Sequence, residues 1–319
     1  MKYFISMVLL LMTLSCETDW PALSKEYGNP SLLTSRRIKS FETSTAVLEG
    51  VYQSTRAGSS RIVVPVTIQG STFQMVLDTG WTGEPWLLKD RVRSLNLEKK
   101  WVSESNPEMV RYGETEILVA GFRLMIPGIT SDFPFSTESW MDQEGWDGVL
   151  GIDTFRDFKL TFKPLANQLE LSLKTKSETD ASALEYRSFP KPVIKGTLEG
   201  KSRYFLLDTG NPQKGSLGRW NPPEGFEPLD LQINHPLRDQ SMKVTGKYKS
   251  KSLVLLGQVV TGADFSIGEW MNLSIKSYQN NGTRDSLYDN LGMDVINQFE
   301  MVLNLPKREI SLRKTNSNL

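Results

Sequence analysis

The sequence predicts an all-β protein built as a duplicated domain, and three repeated features carry that prediction. The first is a pair of apolar, strand-forming runs that each stop at Asp-Thr-Gly. One is Met75-Val76-Leu77-Asp78-Thr79-Gly80 and the other Phe205-Leu206-Leu207-Asp208-Thr209-Gly210. A buried strand ending this way sets its aspartate at the edge of a core, and glycine lets the backbone turn tightly behind it. Asp-Thr-Gly starts at a given position by chance roughly once in several thousand, so two copies in matching contexts are strong. The second feature is a turn at constant distance: Gly70 and Gly200 each stand eight residues ahead of the aspartate they precede. The third lies downstream, where Leu150-Gly151-Ile152-Asp153 is answered by Leu291-Gly292-Met293-Asp294. The aspartates are 130 residues apart (208 − 78) and the late glycines 141 (292 − 151), so the second half carries a modest insertion.

Bulk properties then prune the chemistry. A length of 319 residues allows two domains with substantial cores. Lys plus Arg equals Asp plus Glu, at 37 each, so no global field recruits nucleic acid. The only histidine is His235 and the only cysteine Cys16. Histidine-based triads and His/Cys zinc sites draw on several such residues, and an internal disulfide needs two cysteines. Hydrolytic chemistry here would have to lean on carboxylates.

Taken in order, residues 1–15 begin with Lys2 and an apolar run from Tyr3 to Leu14. As a helix that run reaches about 18 Å, short of a ~30 Å hydrocarbon core, so it reads as a secretory signal. Thr13-Leu14-Ser15-Cys16 resembles a bacterial lipobox, with Thr13 where leucine is usual. That resemblance implies export, a lipid anchor on Cys16 and a place on the bacterial cell envelope, facing the periplasm or the outside. Plain secretion with a free N-terminal cysteine is the alternative. Residues 16–48 are expected to tether the folded part.

From Val51 strands dominate. Arg61 to Ile68 is rich in β-branched residues, Gln69-Gly70-Ser71 turns, and Thr72 to Leu77 returns. Leu87 to Leu97 has helical spacing, and Val110 to Ile129 reads as hairpins turning near Gly113 and Ala120-Gly121. Gly148 to Gly151 leads to a short helix near Asp153, and Phe158 to Leu173 supplies closing strands. The first unit is thus 49–175, the polar stretch 176–187 a linker, and 188–315 the second unit. There the hairpin turns at Glu199-Gly200, Asn211 to Pro236 reads as a long irregular loop, and Ser252 to Val260 turns at Gly257.

The two Asp-Thr-Gly motifs resemble those of the aspartic peptidase superfamily, the bilobal pepsin-like enzymes and bacterial retropepsin-like proteins. So do Asp147-Gly148-Val149-Leu150-Gly151 and Asp289-Asn290-Leu291-Gly292. The resemblance implies two similar β-barrel-like lobes related by a pseudo-two-fold axis, with a substrate cleft between them. It also implies that Leu150 and Leu291 pack behind the aspartate loops, and that the chain is a monomeric aspartic endopeptidase acting on peptides or proteins without a metal or organic cofactor.

The chemistry expected of such a pair follows from electrostatics. Two carboxylates brought within ~3 Å cannot both ionise, so Asp78 and Asp208 would share a proton. One takes a proton from a water held between them while the other protonates the substrate. Which aspartate holds the proton stays open at this stage. Thr79 and Thr209 are expected to hydrogen-bond across the axis, and Gly80 and Gly210 to bring N–H groups to the carboxylates. Where the family usually has Ser, Thr or Ala after the glycine, this chain has Trp81 and Asn211, and Asn290 replaces an apolar residue. Trp81 separates two readings: an indole filling the cleft floor favours a peptidase-fold lipoprotein that only binds peptides or proteins, whereas one turned aside favours catalysis. Tyr112, beside Gly113, is a candidate flap residue, with an ordinary strand aromatic as the alternative reading. Asp153 and Asp294 are expected to cap helix N–H groups, and Asp147 and Asp289 to be structural.

Overall fold

The computed structural model describes residues 37–315 apart from 42, 57, 59, 103–109, 132–137, 185–188, 212–214, 217–226, 235–240, 261 and 269–287. The expected signal segment, residues 1–15, and Cys16 lie outside the described residues. Strands dominate, and the described strands form three sheets. An eleven-stranded sheet draws on residues 37–151, and the strand-rich fold includes a strongly curled, half-barrel sheet. A nine-stranded sheet draws on residues 193–291. The third, six-stranded, takes strands from the early, middle and late parts of the chain in the order Ser182–Ala183, Glu309–Lys314, Phe299–Asn304, Lys159–Lys163, Gln168–Ser172, Thr45–Glu49.

The repeated hairpins form as their patterns dictate. In β1 (Ser60–Ile68) the side chains of Ile62, Val64, Val66 and Ile68 enter the main core. Val63, on the other face, packs with Val76, Trp86, Leu88, Met141 and Trp146. Gln69 (φ 49°) and Gly70 (φ 82°) then turn the chain, the paired positive φ of a two-residue hairpin turn that follows strand twist. β2 (Ser71–Asp78) returns antiparallel to β1 and runs parallel to β3 (Gly148–Gly151), with Asp78 beside Gly151. In the second half β4 (Val193–Leu198) turns at Glu199 (φ 50°) and Gly200 (φ 73°) into β5 (Lys201–Leu207). That strand runs parallel to β6 (Asp289–Leu291), Leu207 beside Leu291. Leu150 and Leu291 are fully buried alongside the strands that carry the aspartates.

Several expectations need correction. The tether does not extend to residue 48: Arg37–Phe41 pairs with Phe122–Ile126, and Thr45–Glu49 with Gln168–Ser172. Short alternating segments dock because a sheet edge is available, which composition does not reveal. The expected linker is pinned too. Ser182–Ala183 pairs with Ile310 and Glu309, and Glu178 accepts from Lys159 and Arg313. Helix Lys89–Arg93 is shorter than the Leu87–Leu97 spacing suggests, because Trp86 and Leu87 are claimed by pairing with β3. The chain near Gly113 is no hairpin: Val110–Tyr112 pairs with Lys99–Val102 and Ile129–Ser131, whereas Thr115–Val119 pairs with Phe122–Ile126 and β1. Within Asn211 to Pro236 an eight-residue strand, Glu227–Asn234, pairs with Ser241–Lys249 across a register shift that begins at Pro228. Proline is tolerated at such an irregularity.

Candidate functional site

Both Asp-Thr-Gly segments leave the ends of apolar strands and meet each other. Thr79 and Thr209 are fully buried. Each backbone N–H donates to the other threonine's Oγ1, at 3.0 Å in both directions. Each hydroxyl donates onward to the carbonyl before the opposite aspartate, Thr79 to Leu207 at 2.5 Å and Thr209 to Leu77 at 2.6 Å. The exchange satisfies every polar atom the two threonine side chains bury, as buried hydroxyls require, and it brings the two aspartates together.

The glycines are dictated by space. A Cβ on Gly80 would lie 2.7 Å from Asp208 Cγ, and one on Gly210 would lie 2.2 Å from Asp78 Cγ. Each carboxylate therefore rests against the opposite glycine, which sets the two carboxyls side by side. Asp78 Oδ1 accepts from Gly80 N at 2.7 Å and Trp81 N at 3.0 Å. Asp208 Oδ1 accepts from Gly210 N at 2.9 Å. Asp208 has a further support: Asn290 Nδ2 donates to its Oδ2 at 2.5 Å, and Asn211 Nδ2 donates to Asn290 Oδ1 at 2.9 Å.

Trp81 is turned aside. Its indole Nε1 donates to the Glu84 carbonyl at 3.1 Å, and its ring packs against Gly83 and Gly151. A Cβ on Gly151 would lie 2.6 Å from Trp81 Cδ1, so the late glycine makes room for the indole. The Trp81 loop is held in turn by Glu84, whose carboxylate pairs with the Arg111 guanidinium, both side chains 13% exposed.

Burial, then the neighbouring Asp208 charge and hydrogen bond, push the Asp78 carboxyl well above the usual carboxylate range. Asp78 keeps partial solvent access while packed protein surrounds its carboxyl. Arg61 also reaches this neighbourhood. It is 3% exposed, and burial pushes its guanidinium down to about 10 against the opposing pull of Asp208, Asp78 and Glu144.

The remaining candidates take other places. Tyr112 is a buried core residue paired with Ile129 and Lys99, not a flap tip. Its alternation in a short strand faces the core, while residues 103–109 beyond it lie outside the described residues. Asp153 sits in the first turn of Ile152–Phe155, yet its carboxylate accepts from Arg156 Nε at 2.6 Å and no side chain caps that turn. Asp294 is in the first turn of Met293–Ile296, also uncapped by a side chain. Asp147 accepts from Gln74 N at 2.7 Å and Arg91 Nε at 2.6 Å, and Asp289 from Arg203 Nη1 at 2.9 Å. Both are structural. Three residues at the site escaped the sequence reading: Arg61, Glu84 and Arg111. Arg61 had a usable signal, since it lies as far before the Gln69-Gly70 turn as Asp78 lies after it. The Glu84–Arg111 pair joins distant segments and had none.

No protein-family model matches the chain, and no curated protein matches it closely enough to count as a relative.

Proposed function

We propose that the chain is an aspartic endopeptidase of the pepsin-like type, with two similar β lobes about a pseudo-two-fold axis and a cleft above Asp78 and Asp208. The observation that carries the reading is the reciprocal threonine exchange, which presses two carboxylates from the two sequence repeats into contact. A pair so placed holds one proton between two oxygens. The proton of the resting pair is assigned to Asp78, where burial and the opposing carboxylate favour the neutral form. Asp208 is assigned the anionic role, its oxygens receiving N–H groups from Gly210 and Asn290.

In the proposed reaction Asp208 takes a proton from a bound water as the water oxygen bonds to the scissile carbonyl carbon. Asp78 gives its proton to the carbonyl oxygen. The resulting tetrahedral diol collapses as Asp208 passes its proton to the leaving nitrogen and Asp78 recovers one from a diol hydroxyl. The C–N bond breaks, a water is consumed, and the pair returns to its starting charge. The side-turned indole of Trp81 supports turnover over a binding-only reading, because it leaves the carboxylates free to meet. The lipobox-like Cys16 extends the proposal to an exported, lipid-anchored monomer acting on peptides or proteins at the cell envelope.

The test is a peptide library presented across pH to the full chain and to Asp78→Asn and Asp208→Asn. Cleavage by the parent and a loss of about 10³-fold or more in each variant are expected. Retained cleavage in either variant removes that aspartate from the chemistry.

A further inference from the structure

The unexplained group beside the site is Arg61. β1 and β2 pair from Ile68↔Ser71 to Val63↔Val76, and Arg61 and Asp78 each lie two residues past that last pair, Arg61 itself pairing with Gln53. Side chains two apart share a face of a strand, so Arg61 extends from the same face as Val63, whose neighbours are Val76, Trp86, Leu88, Met141 and Trp146. Its Nε and Nη1 are buried and meet no hydrogen-bond partner among the described residues. Arginine does not give up its proton at working pH, and an uncompensated buried cation is strongly destabilising. The charged groups that act on it are Asp78 on β2, Asp208 after β5 and Glu144 at the end of helix Glu138–Glu144. Glu144 is already engaged, accepting from Arg56 N at 3.0 Å.

We propose that Arg61 is the buried counter-cation of the Asp78–Asp208 pair, a positioning residue that holds the pair at a single negative charge. The inference rests on the peptidase reading for its consequence in turnover. With one shared proton the pair carries one negative charge and Arg61 one positive charge, so the buried unit is neutral. Protonating both carboxyls strands the guanidinium, and that state is disfavoured. Ionising both is eased by the same cation. Arg61 therefore draws both edges of the active pH range downward.

The test uses carbon-13 carboxyl spectra of the full chain, with the Asp78→Asn and Asp208→Asn variants assigning the signals. In Arg61→Met both titration steps of the pair are expected to move to higher pH by about one pH unit or more, and in Arg61→Lys to return towards the parent values. Peptide cleavage should show both edges of its pH profile moving the same way. Unmoved steps in a folded Arg61→Met protein overturn the proposal. A second measurement does not depend on Arg61→Met folding. The Asp78→Asn/Asp208→Asn double variant strands the cation and should unfold roughly 4 °C or more below either single variant at neutral pH. Equal or higher stability overturns the proposal. Titration shifts in a chain that cleaves no peptide would uphold the charge balance and overturn the peptidase reading alone.

Discussion

The loops carrying Asp78 and Asp208 share a backbone plan and differ in what surrounds it. In both, the residue after the glycine donates its N–H back to the aspartate carbonyl, Trp81 at 3.3 Å and Asn211 at 3.1 Å. In both, that residue's carbonyl accepts from the first residue of the following turn, Ile152 and Met293. The side chains diverge. By sheet register Val149 pairs with Val76 and Asn290 with Leu206, one step before the position flanking each aspartate. The apolar residue belongs to the Asp78 side and the amide to the Asp208 side. The cation also sits on one side: Arg61, two residues before Val63 as Asp78 is two after its partner Val76, is buried, whereas the corresponding residue of the second hairpin, Lys191, two before Val193, is partly exposed. A shared backbone fixes the distance between two carboxylates. Unequal side chains give the two carboxyls unequal surroundings, an asymmetry that the proposed acid and base roles call for.

The largest effect is expected where the two sides are alike. Thr79→Val removes a hydroxyl that both accepts the Thr209 N–H and donates to the Leu207 carbonyl. Thr209→Val removes the mirror pair. Each leaves a buried donor and a buried carbonyl without these partners, at about 2–4 kcal/mol. Thermal unfolding of the two variants should fall by similar amounts. A loss in one without the other would show that the exchange is not shared equally, and would break the likeness at its root.

A smaller effect is expected where the sides differ. Asn290→Val gives the second half the residue type of the first and removes the amide from Asp208 Oδ2. Losing a hydrogen bond to an anion costs about 1.5–3 kcal/mol. In the proposed reaction this appears as a fall of about 10- to 100-fold in kcat/KM, with the acid edge of the pH profile moving upward. A profile identical to the parent would mean that the amide orders the loop and does not tune the carboxylate.

How much of this was legible depended on whether a feature was local. The strands ending at Asp78 and Asp208 and the turns at Gly70 and Gly200 follow from apolar runs and glycine placement, whereas the burial of Leu150 and Leu291 is what the family resemblance implies. The crossing of Thr79 and Thr209 was foreseeable once two identical motifs were seen. What the chain hid were partners distant in sequence. Strands 37–41 and 45–49 look like tether because short edge strands carry mixed polarity. Tyr112 reads as either a flap or a strand aromatic because an aromatic ring gives no hint of which face a three-residue strand buries. Asn290 was visible as a departure, but its partners Asp208 and Asn211 lie 82 and 79 residues away.

The smallest predicted effect probes the Asp78 side through stability. Burial and the opposing carboxylate hold Asp78 protonated above the usual carboxylate range. Below about pH 4 the folded and unfolded chains both carry that proton, so it contributes nothing to the difference. As pH rises above that point the unfolded chain releases the proton while the folded chain keeps it. Stability is therefore lost with rising pH until Asp78 itself ionises. Asp78→Asn has no proton to lose, and its one remaining partner charge, on Asp208, still balances Arg61. The variant should be more stable than the parent by about 1 kcal/mol near pH 7, after allowing for the partial solvent access of the site. The gain should disappear by about pH 4. Denaturant midpoints measured at the two pH values test this directly. A gain that persists at pH 4 would point to packing, and a loss at pH 7 would mean that the Asp78 carboxyl is held by more favourable contacts than burial and repulsion allow.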